Sequence, residues 1–141
     1  MQNPNARIVA LDVGTQRIGV ATANVVARLA APLKTLQVSD DVIADIKQIL
    51  AEQTATAIVL GLPRGMQGQD TDQTKFTKEF GERLRQQIDI PLYWQDEAMT
   101  SKLSEEELKA GKKSYDKGAV DALAACYILE DFLSSKQDIT T

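Results

Sequence analysis

The 141-residue sequence contains no histidine and only one cysteine, Cys126. Without histidine the chain cannot build a Ser-His-Asp triad, a Cys-His pair or a zinc site that depends on imidazole. A single cysteine forms no disulfide within the chain, and its place in an apolar helical stretch predicts a small core residue in a reducing cytoplasm. Acid–base and metal chemistry must therefore rely on carboxylates, lysines and hydroxyl groups.

Long apolar runs are also missing. None approaches the length that spans a membrane, and the polar start at residues 2–5 is unlike a signal peptide. The hydrophobic fraction of 43% and the charged fraction of 26% are typical of a globular protein. We therefore expect a cytoplasmic protein without a membrane partner. Residues 1–141 should form one domain, with a disordered tail after about residue 134.

Basic residues are in the minority, because 16 Lys and Arg face 20 Asp and Glu and leave a net charge of −4. A protein that coats nucleic acid without sequence preference is normally basic overall. The acidic balance argues against such binding. It is compatible with a nucleic-acid enzyme that uses local basic patches.

Apolar periodicity predicts an alternation of secondary structure. The predicted strands cover 8–11, 20–23, 29–36, 56–60 and 92–95, and the predicted helices cover 40–52, 72–87, 104–111 and 118–133. Ser39 is the predicted N-cap of the first helix, and Pro32 favours an edge position or a bulge in the third strand. Antiparallel strands followed by helical crossovers indicate an α/β fold. We expect a mixed five-stranded sheet flanked by helices, an order compatible with a ribonuclease H-like fold.

The stretch from Leu11 to Ala21 places a carboxylate, Asp12, at the end of a buried strand, where Val or Ile would be usual. Gly14 and Gly19 are predicted to bracket the turn that leads into the second strand. An acid beside exposed backbone amides suits a metal ion or a phosphate, because it supplies hard oxygen ligands and glycine lets the backbone approach closely. The alternative is that Asp12 hydrogen-bonds the amides of the turn.

Two further carboxylates stand at informative positions. Asp121 is the only charged side chain between Gly118 and Leu129, on an otherwise apolar helix face, so it needs a partner. That partner is either a metal ion or the N-terminal dipole of the helix. Glu97 follows the fifth strand, with Asp96 beside it, and alone is also typical of a solvated loop. If the three acids converge, their oxygens suit Mg²⁺ or Mn²⁺, and two such ions about 3.5–4 Å apart support phosphodiester cleavage.

Several basic residues are candidates for contacts with phosphate. Arg64 lies in a glycine-rich loop, residues 61–68, directly after a strand, where sites of α/β proteins usually lie. Lys112, Lys113 and Lys117 precede the last helix and are candidate phosphate clamps. A solvated loop is an equally good explanation for the three lysines.

Aromatic residues are predicted to serve packing. Tyr93 and Trp94 alternate along a strand, so at least one is expected in the core, and they do not form a base-stacking platform. Phe76, Phe80 and Leu84 recur at helical spacing and are predicted to be the buried face of the second helix.

Four motifs, taken together and in this order, resemble the YqgF/RuvX family. They are Asp12-x-Gly14-x-x-Arg17-x-Gly19-x-Ala21, Gly61-Leu62-Pro63 with Met66-x-Gly68, Asp96-Glu97 with Thr100-Ser101, and Asp121-x-x-Ala124-Ala125 with Ile128-Leu129. Members are bacterial Holliday-junction-resolvase-like proteins of the ribonuclease H fold. The resemblance extends from about residue 7 to residue 133. It implies an endonuclease that matures the 5′ end of pre-16S ribosomal RNA, with resolution of branched DNA as the older proposal.

The resemblance also implies roles for individual residues. Asp12, Glu97 and Asp121 would be the catalytic acids and would bind Mg²⁺ or Mn²⁺, as two ions when substrate is present. Arg17 would contact phosphate near the first turn, and the loop at residues 61–68 would border the substrate.

The sequence departs from the family pattern at two positions. Ala98 stands where the family usually has arginine after Asp-Glu, which removes a cation that would hold phosphate or orient the neighbouring acid. Gln67 stands where the family usually has aspartate. The segment between Thr100 and Asp121 is also short.

The expected partners are structured RNA, namely pre-16S rRNA, or branched DNA, with the ribosomal subunit as a further candidate. We expect the protein to be a monomer or a weak homodimer.

Ala98 and the acidic charge motivate a second hypothesis for the function, a catalytically weak ribosome-assembly factor that binds nucleic acid. A third is nucleotide binding, because residues 12–15 also resemble the phosphate loop of actin-like kinases. That fold needs two such domains and a longer chain.

Overall fold

A computed structural model describes residues 4–97 and 117–135. This part of the chain forms β1 (Arg7–Val13), β2 (Arg17–Asn24), β3 (Ala30–Gln37), α1 (Val42–Glu52), β4 (Ala55–Pro63), α2 (Asp72–Arg85), β5 (Leu92–Glu97) and α3 (Lys117–Ser135). Each of these elements was predicted from periodicity. The helix expected at 104–111 lies outside the described residues, as does the expected tail apart from its first residue, Ser135, which belongs to α3. None of the described helices is long and apolar enough to cross a membrane.

The five strands form one mixed sheet in the order β3-β2-β1-β4-β5. The pairs β1–β2 and β2–β3 are antiparallel, whereas β1–β4 and β4–β5 are parallel and are joined by helical crossovers. The predicted mixed five-stranded sheet is therefore confirmed. β3 is an edge strand, and its pairing with β2 shifts register next to Pro32, so that residue occupies both an edge and an irregularity.

Alternation along the strands divides the core between two faces of the sheet. On β1, Val9, Leu11 and Val13 pack with α1 and α2 on what we call the α1/α2 face. Ile8 and Ala10 pack with α3 on the opposite, α3 face. By the same alternation Asp12 belongs to the α3 face, which places its carboxylate under the last helix.

The α3 face is rich in small side chains, which allows the helix to lie close to the sheet. Ala10, Ala21, Ala23 and Ala57 are all buried there, and α3 places Phe132 against them. Close packing of this kind fixes the height of α3 above the strands.

Two local predictions were wrong. α1 has Asp41 at its N-cap, and Ser39 instead accepts a hydrogen bond at Oγ from the backbone N–H of Asp41 at 3.1 Å, so it orders the turn before the helix. Phe76 is 36% exposed, although Phe80 and Leu84 are buried as predicted. The buried stripe of α2 runs instead through Thr74, Thr77, Phe80, Gly81 and Leu84, and Phe76 lies beside it.

The two aromatic residues of β5 pack on opposite faces of the sheet. The Tyr93 ring lies 5.4 Å from the Phe132 ring of α3, measured between centroids. Trp94 packs against the α1/α2 core, where a Cβ on Gly81 would lie 2.2 Å from its ring. Both residues therefore serve packing.

Candidate active site

The carboxyl end of β1 opens into a pocket of about 350 Å³. Its walls come from the β1–β2 turn, the end of β4, the first turn of α2 and the second turn of α3. The lining residues are Asp12, Val13, Gly14, Thr15, Gln16, Arg17, Pro63, Gln73 and Asp121. The structure thus brings together three residues that the sequence singled out, namely Asp12, Arg17 and Asp121.

Two glycines shape this pocket in different ways. The backbone N–H of Gly14 donates to the Arg17 carbonyl at 3.0 Å, and a Cβ on Gly14 would lie 2.7 Å from that oxygen, so a tight turn excludes a side chain. Gly19 was predicted to bracket the turn but lies within β2, directly opposite Asp12. A Cβ on Gly19 would lie 1.8 Å from the Asp121 carbonyl oxygen. The absence of a side chain at Gly19 therefore lets α3 bring Asp121 down beside Asp12.

Arg17 and Asp121 form an ion pair in which Arg17 Nε donates to Asp121 Oδ2 at 2.6 Å. The two side chains are 27% and 22% exposed, so the pair is partly shielded from water and the hydrogen bond is charge-assisted. Asp121 lies beyond the first turn of α3, where the helix dipole has little effect. Of the two partners considered for Asp121, the helix dipole is thus not the one observed, and a guanidinium stands beside the carboxylate.

Glu97 is the last residue of β5 and pairs with Pro63 of β4. Alternation from Tyr93 places its side chain on the α3 face, the same face as Asp12, and its Oε1 atom is buried. β4 lies between β1, which carries Asp12, and β5, which carries Glu97, so the backbones of β1 and β5 are about 10 Å apart. Glu97 does not line the pocket. Asp12 and Asp121 therefore meet at the pocket, and Glu97 lies on the same face two strands away.

The donor set fits a divalent cation of the Mg²⁺ class. Within residues 4–97 and 117–135, no three Asp, Glu, Cys or His side chains are gathered closely enough to form a complete protein cage for a metal. Mg²⁺ does not require one, because it keeps several waters and is usually held by one or two carboxylates together with substrate phosphate. Asp12 and Asp121 supply two carboxylates at an open pocket. The positively charged guanidinium of Arg17 is already paired with Asp121, so this carboxylate already binds one cation.

The start of α2 contributes residues that the sequence reasoning missed. Gln73 donates from Nε2 to the Val13 carbonyl at 3.1 Å, and Thr74 donates from Oγ1 to the Pro63 carbonyl. Thr71 caps the helix and exchanges hydrogen bonds with Thr74. The available signal was the spacing Thr71-x-x-Thr74, a capping box with threonine in place of the usual Glu or Gln.

Among the predicted phosphate-binding residues besides Arg17, Arg64 has a described side chain, and it does not line the pocket. Arg64 forms ion pairs with Asp96, at 3.1 Å, and with Asp70, beside Leu62 and Trp94 of the α1/α2 face. Lys112 and Lys113 lie outside the described residues. Lys117 is described only as the first residue of α3.

Comparison with known proteins gives a consistent result. Residues 6–135 match the model of the RuvX family, which is described as Holliday junction resolvase. A relative from Synechocystis sp., named as a candidate pre-16S rRNA nuclease, is 39% identical over 131 residues, which cover 90% of this chain and 86% of the relative. Relatives of the same name from Sulfurihydrogenibium sp. and Rickettsia africae are each 36% identical. These matches cover 91% and 96% of this chain and 90% and 91% of the relatives.

Among solved structures, RuvC of T. thermophilus in complex with a Holliday junction substrate superposes with a TM-score of 0.54 at 14% identity. The match covers 92% of this chain and 95% of RuvC. This likeness confirms the predicted ribonuclease H-like fold. Since the family match and the relatives both extend over nearly the whole sequence, the chain belongs to the RuvX family of Holliday-junction-resolvase-like proteins.

Proposed function

We propose that this protein is a metal-dependent endonuclease that processes the 5′ end of pre-16S rRNA in ribosome biogenesis. The observation that carries the proposal is the meeting of Asp12 and Asp121 at one pocket, where the Arg17 guanidinium is paired with Asp121. Carboxylates from a rigid strand and a packed helix are the means by which a protein without histidine binds the cations that phosphodiester chemistry requires. The relatives' name supports RNA as the substrate.

Asp12, Glu97 and Asp121 are the proposed catalytic acids. Asp12 and Asp121 would hold Mg²⁺ or Mn²⁺ at the pocket, and Glu97 would supply a further oxygen ligand from the same face of the sheet. When bound, two such ions activate a water and stabilise the leaving oxygen. The protein contributes the rigidity of the ligands: Asp12 is fixed in the β1–β2 ladder, and the contact at Gly19 sets the position of Asp121.

Arg17 is the proposed phosphate contact at the pocket. Its guanidinium already lies at the pocket wall, and its remaining N–H groups match the oxygens of a phosphodiester. Lys112, Lys113 and Lys117 remain predictions as additional contacts with the RNA backbone.

Branched DNA is the second candidate substrate. The family description names Holliday junction resolvase, and RuvC, which shares the fold, was solved with a Holliday junction. Because RuvC is only 14% identical to this chain, that likeness concerns the fold, and RNA is the substrate that the closer relatives favour.

The test is a cleavage assay with two substrates, a pre-16S 5′-leader RNA and a four-way DNA junction, each with Mg²⁺ or Mn²⁺. Wild type is compared with Asp12→Asn and Asp121→Asn. Asp131→Asn is the matched control, because Asp131 is an exposed carboxylate on the same helix as Asp121 and does not line the pocket.

We expect metal-dependent cutting of the RNA by wild type and Asp131→Asn and none by the other two variants. Preferential cutting of the junction would assign the protein to branched DNA. If wild type cuts neither substrate with either metal but binds the RNA, the protein is a binding factor in ribosome assembly and the proposal fails.

A further inference from the structure

The end of β5, which carries Glu97, is held in place by Arg64, the first residue of the connection between β4 and α2. The backbone N–H of Arg64 donates to the Glu97 carbonyl at 2.9 Å, which extends the β4–β5 pairing one residue beyond β4. The guanidinium of the same residue donates from Nε to Asp96 Oδ1 at 3.1 Å. Arg64 thus contacts both of the last two residues of β5, one through its backbone and one through its side chain.

A second nitrogen of the guanidinium contacts the segment that leads into α2. Arg64 Nη1 contacts Asp70, two residues before helix α2. Lys78 of α2 approaches the second oxygen of Asp70 at 3.3 Å. Arg64 therefore bridges two carboxylates, one on β5 and one at the entrance to the helix.

The start of α2 is in turn fixed to the other two strands that border the site. Gln73 holds the Val13 carbonyl at the end of β1, and Thr74 holds the Pro63 carbonyl at the end of β4. Thr74 is fully buried, so its bond is shielded from water. With Arg64 added, the carboxyl ends of β1, β4 and β5 are all tied to one short segment, residues 70–74.

We propose that Arg64 is a positioning residue that fixes Glu97 relative to Asp12, by locking the end of β5 to the segment at residues 70–74. The inference rests on the proposed function, in which Glu97 and Asp12 serve the same reaction. The two acids stand on strands separated by β4, so their relative position depends on how the strand ends are held. A displacement of about 1 Å at a catalytic group is enough to cost about a hundredfold in rate.

The geometry distinguishes this role from a contact with substrate phosphate, which the sequence predicted for Arg64. The guanidinium is paired with two carboxylates, and the Arg64 side chain as a whole is 21% exposed. It lies beside Leu62 and Trp94 on the α1/α2 face, whereas Asp12 and Asp121 belong to the α3 face. A planar guanidinium can bridge two carboxylates at fixed angles, and an ammonium group cannot reproduce that bridge.

The test compares wild type with Arg64→Ala and Arg64→Lys in the full-length chain. Lys78→Ala is the matched control, since it removes the other cation that contacts Asp70 and, unlike Arg64, Lys78 forms no ion pair with the described residues of β5. Hydrogen exchange is followed at the amides of residue 64 and residues 92–97, and kcat and KM are measured for cleavage of the pre-16S leader RNA with Mn²⁺.

We expect exchange at residue 64 and at the end of β5 to be about tenfold faster in Arg64→Ala, with β1 unchanged, because the bridge that holds this end is lost. We expect kcat to fall about 10- to 100-fold with KM within twofold of wild type. Arg64→Lys should restore little of kcat. Lys78→Ala should match wild type in both measurements.

Three results would overturn the inference. The first is wild-type exchange at the end of β5 in Arg64→Ala. The second is a raised KM with unchanged kcat that Arg64→Lys rescues, because a point charge serves a phosphate contact and such a result assigns Arg64 to the substrate. The third is loss of stability with kcat and KM unchanged. If wild type cuts no substrate, the proposed function fails, and the exchange measurement still decides whether Arg64 positions β5.

Discussion

Arg17 and Asp121 are 104 residues apart in the sequence, and Arg17 Nε lies 2.6 Å from Asp121 Oδ2. One residue begins the second strand and the other belongs to the last helix, so this ion pair joins the first hairpin to the final element of the fold. It also places the positive charge of a guanidinium beside the Asp121 carboxylate, which we propose as a metal ligand. Arg17 and a divalent cation therefore compete for Asp121.

Replacement of Arg17 by glutamine should tighten Mn²⁺ binding about three- to tenfold, because it removes the competing cation. The same change should lower the free energy of unfolding of the metal-free protein by about 1–2 kcal/mol, because Asp121 then lacks its partner in a partly buried site. Isothermal titration calorimetry gives the affinity, and urea denaturation gives the stability. Arg17→Lys, which keeps the charge, should bind Mn²⁺ as wild type does. Equal Mn²⁺ affinity in Arg17→Gln and wild type would remove Asp121 from the set of metal ligands.

Alanine at either of two glycines that contact α3 should destabilise the protein, but a second substitution at Ile128 should relieve the clash at only one of them. At Gly19 the new Cβ would meet the backbone carbonyl of Asp121, whereas at Gly61 it would meet the Ile128 side chain at 2.3 Å. We expect each variant to lose about 2–4 kcal/mol of unfolding free energy. Ile128→Val should cost less stability in Gly61→Ala than in wild type, since it removes Cδ1, the atom closest to the new Cβ. The same second change should leave Gly19→Ala no better. Chemical denaturation of the single and double variants measures this, and rescue of Gly19→Ala would contradict the assigned contact.

Metal binding should stabilise the folded protein only when the pocket carboxylates are intact. At Mn²⁺ concentrations 100 times the dissociation constant, the gain in unfolding free energy is about 2.7 kcal/mol. We expect this gain, read as a rise in Tm, in wild type and Asp131→Asn and its loss in Asp12→Asn. Without metal, Asp12→Asn should remain folded with a Tm close to that of wild type, because asparagine keeps the size and hydrogen-bonding capacity of the side chain. A destabilised metal-free Asp12→Asn would indicate that Asp12 is structural.

Burial raises the pKa of the Cys126 thiol from its ordinary 9.0 to about 11, and the negative charge of Glu130 adds to the shift. Between pH 9 and 11 the unfolded chain loses this proton while the folded chain keeps it. Stability therefore falls as pH rises through this window. Urea midpoints at pH 8, 9, 10 and 11 should show a steeper fall for wild type than for Cys126→Ala. At pH 8 the native thiol should not react with a disulfide reagent, and reaction should require unfolding.

The elements of the fold were predictable because their signals are local. The alternation that divides Val9 and Leu11 from Ile8 and Ala10, and the helical spacing of Phe80 and Leu84, can be read within a few residues. Asp12 and Asp121 were predictable for a related reason. Each is a charge in a segment whose neighbours are apolar, and such local conflict is typical of a functional site.

The connections within the site were not predictable, because they depend on which distant atoms the fold brings together. Nothing near Arg17 indicates Asp121 as its partner, and Gly19 was assigned to a turn because glycine within a strand is compatible with either a turn or a close approach by another element. Gln73 lies in a polar segment and Arg64 in a glycine-rich loop, where a polar side chain is ordinary. Gln73 binds the carbonyl at the end of β1, and Arg64 binds a carboxylate near the end of β5. These groups come within reach only when the sheet has assembled.

The pocket takes one wall from the first hairpin and another from α3, with most of the described chain between them. During synthesis, Asp12 and Arg17 leave the ribosome early. Asp121 follows only when α3 emerges, and α3 is also the helix that covers this face of the sheet. A nascent chain therefore has no complete site. For a protein proposed to cut ribosomal RNA, activity therefore begins only after α3 has been made and packed on the sheet.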